Sequence, residues 1–399
     1  MMRRRFWLVL AVLLAWIGLA ACSRPPAALP HDAYIWQRQW RPALLQSMAS
    51  SAGAIRQWRV LAAESDRRGR LQPVAFDAAA LRQSGRPVVL VVRIDGQLSQ
   101  LNLNTLRQQM TQLLAQWRQT GLALSGLEID HDCATARLSA YADFLAQLKP
   151  ALAGLPLSIT ALPAWLESEA LPAVLGRVDE VVLQVHAVRN PRQGLFESDQ
   201  ARQWLERFAR YDKPFRVALP AYGSRIGFDA AGEVAAVTSE APGRRAGVIE
   251  RELVVEPLAV ARLLQGLQQK HPANLQGVVW FRLPTAEDQR AWSLSGWLRV
   301  VQGQPLQAEP VPLLEAGDVP GLYNLILLNR GNVDAGLPPV IQAPASCELA
   351  DALAGYSLQL TPAGWQFERQ QAGLLAPGMK QRVGWLRCAS PPSLKWPAV

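Results

Sequence analysis

Between Asp32 and Val301 short apolar runs alternate with longer amphipathic stretches, the rhythm of βα units wound around a parallel sheet. Eight runs read as strands: Ala33–Gln39, Arg56–Ala63, Pro87–Ile94, Ala123–Asp130, Pro156–Leu162, Glu180–His186, Phe215–Ala221 and Gly277–Leu283. Between them apolar residues recur at three- and four-residue spacing, which predicts helices, most clearly over Leu103–Thr120, Leu138–Ala151, Ala201–Tyr211, Leu258–Lys270 and Glu287–Val301. Eight such units in about 270 residues predict an α/β fold of the (β/α)8 TIM-barrel type. A doubly wound open sheet competes, but no Gly-rich phosphate turn follows the first strand. Ile226–Thr238 and Gly247–Val255, between the seventh strand and its helix, read as a β-hairpin or small sheet inserted at the barrel's C-terminal face.

The rhythm changes at both ends. Residues 302–320, with the Pro-rich run Pro305–Pro320, read as a linker. The short alternating segments Leu322–Asn329, Gly355–Thr361, Gly364–Glu368 and Gln381–Cys388 then predict a small all-β, sandwich-like domain over 321–399. At the N-terminus, Arg3, Arg4 and Arg5 precede an apolar run from Phe6 to Ala21, shorter than the roughly 20 residues a spanning helix needs. It closes on Leu19-Ala20-Ala21-Cys22, which matches the bacterial lipobox. The expectation is therefore a signal sequence over 1–22, lipid on Cys22, and a tether over 23–31 leading to the barrel at 32–301. Ser23, where Asp would retain a lipoprotein at the inner membrane, implies the periplasmic side of the outer membrane. That compartment permits disulfides, so Cys347 and Cys388 are expected to pair, leaving Cys133 as a buried, unreactive thiol.

Composition narrows the partners. Half of the 399 residues are apolar, as in a globular chain. The formal charge of +9 falls to +6 without the three signal arginines, and it is spread without basic blocks. Nucleic acid is thereby excluded as a partner, while an anionic cell-wall polysaccharide is not. The membrane is reached through the lipid, and a monomer is expected. A nucleophile elbow, a phosphate loop and paired CxxC motifs are absent, so no cofactor is expected.

The richest segment is Ser125-Gly126-Leu127-Glu128-Ile129-Asp130-His131-Asp132, the end of the fourth strand. Strand alternation places Glu128, Asp130 and Asp132 on one face and Leu127, Ile129 and His131 on the other. The apolar set must meet the helices, so the acids point into the barrel toward its C-terminal mouth, where such barrels keep their sites. Close carboxylates push one another's pKa values apart, which leaves one able to act as an acid. Parity and position add Arg93 and Asp95 from strand three, Gln184 and His186 from strand six, Tyr222 after strand seven, and Trp280 and Arg282 from strand eight. Aromatic faces stack on sugars, and arginines pair with carboxylates or uronates. A metal site of His186, Asp130, Asp132 and Cys133, as in a metal-dependent deacetylase, is the rival, but parity separates Cys133 from the acids and no metal is expected.

The segment resembles the signature of family 18 glycoside hydrolases, Asp-Gly-x-Asp-x-Asp-x-Glu, with Gly126 and Asp130 matching outright. The run from Pro214 to Gly223 resembles that family's seventh strand, and Gly277-Val278-Val279-Trp280 its eighth, whose tryptophan floors a sugar subsite. The resemblance spans the barrel, roughly Asp32 to Val301, and implies that Asp132 donates a proton while Asp130 orients an acetamido group. Asp132 stands where the family has Glu, Ser125 and Glu128 where it has Asp, and His186 where it has Tyr. The whole chain also resembles an uncharacterised family of bacterial lipoproteins. The implied activity is hydrolysis or binding of an N-acetylated or acidic polysaccharide; the alternative is a non-catalytic glycan-binding or scaffold lipoprotein.

Overall fold

A computed structural model describes residues 28–66, 68–94, 102–186, 194–229, 231–232, 234–238 and 249–397, so Cys22 and Asp95 lie outside the described residues. Eight parallel strands close into a barrel: β1 (His31–Ile35), β2 (Trp58–Ser65), β3 (Val88–Arg93), β4 (Leu124–Asp130), β5 (Leu157–Ala161), β6 (Glu180–Gln184), β7 (Phe215–Pro220) and β8 (Leu275–Phe281). Each pairs with its successor, and β1 pairs with both β2 and β8. The (β/α)8 barrel expected from the alternation is the fold.

Two apolar layers hold it. Outward side chains such as Ile129, Leu183, Val217 and Trp280 join the helices in one large core. Inward ones, including Tyr34, Trp36, Leu61, Val91, Val182, Ala218 and Val279, fill the upper barrel. Helix Leu103–Gln119 starts on an Asn102 cap and buries Leu106, Met110, Leu113, Leu114 and Trp117, one stripe at helical spacing. The last helix covers only Leu294–Val301, because the Ser293 hydroxyl accepts from the Gly296 amide and begins it there. Helices at Pro42–Ser51, Ala78–Gln83 and Leu171–Leu175 are too short for periodicity to reveal.

The insertion after β7 is a three-stranded antiparallel sheet with Ser224–Phe228 at its centre, flanked by Val234–Thr238 and Ile249–Leu253. Among the described residues no helix is long and apolar enough to cross a membrane. Beyond the barrel lie separate antiparallel sheets of four, three and two strands. Part of the segment expected as a linker is built into them: Pro310–Ala316 pairs along its whole length with Leu322–Asn329. Its prolines sit on an edge strand of that sheet, where a missing amide costs least.

Cys347 and Cys388 are joined in a disulfide across a sequence separation of 41 residues. By restricting the unfolded chain such a link contributes about 4 kcal/mol. Cys388→Ser is expected to lower the midpoint of the C-terminal domain in thermal unfolding, and reductant should do the same to the wild type. An unchanged midpoint would show that the small core of Leu325, Ile341, Phe367 and Val383 suffices without it.

Candidate active site

Strand register assembles the centre. Arg93 on β3 is paired opposite Asp130 on β4, and Ile129 opposite Ile159, so Arg93, Asp130 and Thr160 form a row across three strands. The Thr160 hydroxyl donates to the Asp130 carboxylate at 2.8 Å, and an Arg93 guanidinium nitrogen lies 3.5 Å from its other oxygen. Arg93 also sits over the Trp36 ring, 5.6 Å from its centroid. Asp132, two residues past Asp130, is exposed at the mouth.

Tyr34, Trp36, Asp130, Thr160, Gln184, His186, Ala218 and Phe281 line a cavity below this row. Its free volume of about 10 Å3 is room for one water. Rings pack around it: Trp36 tilted on Phe281 at 5.1 Å, Tyr222 tilted on Phe281 at 5.3 Å, His186 edge to face with Tyr222 at 5.8 Å, and His186 stacked on Phe281 at 5.8 Å.

Burial and the neighbouring Asp132 push the Asp130 carboxyl up to about 7, against the opposing pull of Arg93 and Thr160. Burial pushes the His186 imidazole down to about 4, so this ring is neutral near pH 7. Burial raises the Tyr222 hydroxyl, with Arg282 and Arg93 opposing and Asp132 and Asp130 reinforcing, which places all four charges around one phenol.

The raised Asp130 has a consequence for stability. A carboxyl whose folded pKa exceeds its unfolded value contributes stability in full below the ordinary carboxylate range and loses it as pH rises through the folded value. The wild type is thus expected to lose on the order of a few kcal/mol between about pH 4 and about pH 8 from this group. Asp130→Asn should flatten that dependence in urea unfolding followed across pH. Identical pH slopes in the two proteins would contradict the raised value.

Two expected mouth residues lie elsewhere. Glu128 faces inward as alternation requires, but one layer deeper, roughly 6–7 Å below Asp130 at the usual strand rise. There it pairs with Arg59, accepts from the Tyr34 hydroxyl, and accepts from the Ser158 hydroxyl at 3.2 Å. It has no solvent exposure, so the open position at the mouth expected for it is not where it lies. Trp280 is also fully buried, on the outer face of β8. Its Nε1 donates to His31 Nδ1 at 2.9 Å, and it packs edge-on against Trp292 and Trp297. Phe281, the next residue, turns into the barrel instead.

Arg282 stands at the mouth, tied to Asp288, whose carboxylate also accepts from the Thr285 amide and hydroxyl at 2.9 and 3.0 Å. His131 faces the helices against Tyr141, its Nδ1 3.0 Å from the Ile94 carbonyl oxygen. Cys133 is buried in the outer core, and burial pushes its thiol up to about 11. Among the described residues no group of three or more His, Cys, Asp or Glu side chains could hold a metal ion. Sequence reasoning missed Tyr34, Trp36, Thr160 and Phe281. For Tyr34 and Trp36 a signal was present, since both share the parity of Asp32 in the first strand.

Residues 84–286 match the family described as Domain of unknown function (DUF3142), and residues 313–389 match Domain of unknown function (DUF8456). No curated protein matches the chain. Among solved structures, the spore cortex-lytic enzyme SleL of Bacillus cereus aligns with a TM-score of 0.51 at 15% identity, over 69% of this chain and 75% of that one. SleL of Bacillus megaterium QM B1551 gives 0.50 at 14%, over 69% and 74%. A chitinase from Chromobacterium violaceum ATCC 12472 gives 0.47 at 15%, over 65% and 96%. Identities this low establish a shared barrel and nothing further.

Proposed function

Since this chain belongs to the family described as Domain of unknown function (DUF3142), we propose its function from the site: a lipid-anchored envelope protein whose barrel mouth binds and hydrolyses an N-acetylated or acidic glycan. The observation that carries this is the unequal carboxylate pair, Asp130 buried with its pKa pushed up to about 7 and Asp132 exposed two residues on. Paired carboxylates in unlike surroundings are how such sites separate an acid from an orienting group. Both occupy the positions on which the family 18 signature depends, and the solved barrels that align with this chain include spore cortex-lytic enzymes. In this reading the Asp130–Asp132 pair shares one proton, and Asp132 delivers it to the departing glycosidic oxygen as the bond from that oxygen to the anomeric carbon breaks. Asp130 holds the reacting sugar, and Arg93 meets an acidic or carbonyl group on it. Water then forms the new bond to the anomeric carbon and returns a proton to the carboxylate pair.

One observation favours a second reading, glycan binding without turnover. The Asp132 carboxyl is one methylene shorter than Glu, and a reacting group drawn back by about an ångström costs on the order of 100-fold in rate. A glycan array and a hydrolysis screen on the chain from Ser23 onward separate the two. Cleavage supports the enzyme, binding alone supports the lectin-like protein, and neither overturns both. The anchor has its own test. Cys22→Ser is expected to move the protein from the membrane to the soluble fraction on cell fractionation, and retention in the membrane would refute lipidation.

A further inference from the structure

Beside the mouth lies a cleft of about 820 Å3, within the roughly 300–1,000 Å3 of ligand sites. One wall is the barrel: Arg225 and Glu252 of the inserted sheet, and the loop from Thr285 to Leu294 after β8. The other wall is the C-terminal domain, through Leu374, Ala376 and Met379. Asp334 of that domain accepts from the Ser293 amide at 2.9 Å and the Ser293 hydroxyl at 2.7 Å, where the last barrel helix begins. This docking fixes the second wall and leaves the cleft preformed.

The cleft adjoins the mouth. Tyr222 belongs to the mouth, and the next residue, Gly223, lines the cleft. A single bridge divides them: Tyr222 pairs with Ala291, and the Gly223 amide donates to the Arg290 carbonyl at 2.7 Å. Arg282 at the mouth holds Asp288, which lines the cleft. Most of the cleft's charges are paired, and Asp334 is instead hydrogen-bonded by the neutral Ser293. Arg225 and Arg290 both donate to Glu252, at 2.7 and 2.9 Å, and Asp288 is held by Arg282. A lining of this kind offers hydrogen-bonding edges beside small apolar surfaces and makes no demand for a counter-ion. A charged peptide or phosphate would leave charge uncompensated there, whereas a neutral, hydroxyl-rich chain would not.

We propose that this cleft is a second subsite, taking the uncharged, hydroxyl-rich stretch of glycan that continues from the unit held at Asp130 and Asp132, with the C-terminal domain as one wall. The inference rests on the reading of the mouth as a glycan site. It is tested by measuring, on the full-length protein in detergent, affinity for two-unit and six-unit oligomers of N-acetylglucosamine, with and without a single uronic acid at one end. The six-unit form of whichever series binds should bind at least tenfold tighter than the two-unit form. Met379→Trp, at a half-exposed position that tolerates a larger side chain, should abolish that advantage and leave two-unit affinity unchanged. Gln289→Ala, on the opposite wall, should reduce it without filling the cleft. Equal affinity for both lengths in the wild type, or an equal loss for both in the variants, would overturn the cleft as a subsite and leave the mouth reading intact. Binding of neither length would overturn the mouth reading and the cleft with it.

Discussion

Arg59→Met is expected to cost about 3–5 kcal/mol of folding stability, a large share of what a domain possesses, because it strands the buried Glu128 carboxylate and takes from Asp32 one of its three arginines. Arg59 is enclosed in the lower barrel, where it pairs with Glu128, Asp32 and Glu180. Burial alone would depress its pKa, and those three carboxylates reverse the effect and keep it charged. Burial likewise works against the Asp32 anion, but Arg59, Arg216 and Arg56 hold its carboxyl below the usual range. The network is balanced by three arginines, since Arg216 bonds Glu180 at 2.9 Å and Arg56 bonds Asp32 at 2.9 Å. Methionine removes the central cation while every anion stays. Arg59→Met combined with Glu128→Gln should regain part of the loss, because one anion leaves with its partner. Urea denaturation at neutral pH measures both. A loss below about 1 kcal/mol for the single variant, the level of an exposed pair, would show that the lower barrel is wetter than it looks.

Asp132→Asn is expected to lower glycan turnover by at least about 100-fold, the usual reach of a general acid, while the ligand still binds. Asp130→Asn should weaken both turnover and binding, since it alters the group that Thr160 and Arg93 hold in place. The activity profile of the wild type should also show an apparent pKa near 7 belonging to the Asp130–Asp132 pair, and that inflection should vanish in Asp130→Asn. If the protein only binds, Asp132→Asn changes affinity by roughly one hydrogen bond, on the order of 1 kcal/mol. Steady-state rates and equilibrium titration of the same variants distinguish these outcomes. Full activity in the double Asn variant would move the site to another strand.

The contrast between Glu128 and Asp132 shows how far a strand pattern reaches. Alternation over Leu127 to Asp132 correctly turns Glu128 and Asp130 into the barrel, because the polar and apolar sets there are cleanly divided. It carries no information on depth. Four residues along the chain separate a carboxylate sealed among Arg59, Tyr34 and Ser158 from one at the mouth, and those partners come from three other strands. The eighth strand failed differently. Val278, Val279, Trp280 and Phe281 are all apolar, so nothing in the pattern says which set turns inward. Pairing decides it: Trp280 lies opposite Ala33, whose side chain joins the outer core, and Phe281 takes the inner face.

What the sequence by itself determined is the barrel, the inserted sheet, the pairing potential of Cys347 and Cys388, and the row of acids ending the fourth strand. Each is a local signal, set by spacing along the chain and by the need to bury apolar surface. The tertiary structure alone decided which carboxylate is sealed inside the barrel and which lies at the mouth, which aromatic rings line the mouth, and that a cleft opens against the C-terminal domain. Those properties depend on neighbours far apart in sequence, Tyr34 and Glu128 or Ser293 and Asp334, and a carboxyl's charge state follows from the burial and partners that such neighbours impose.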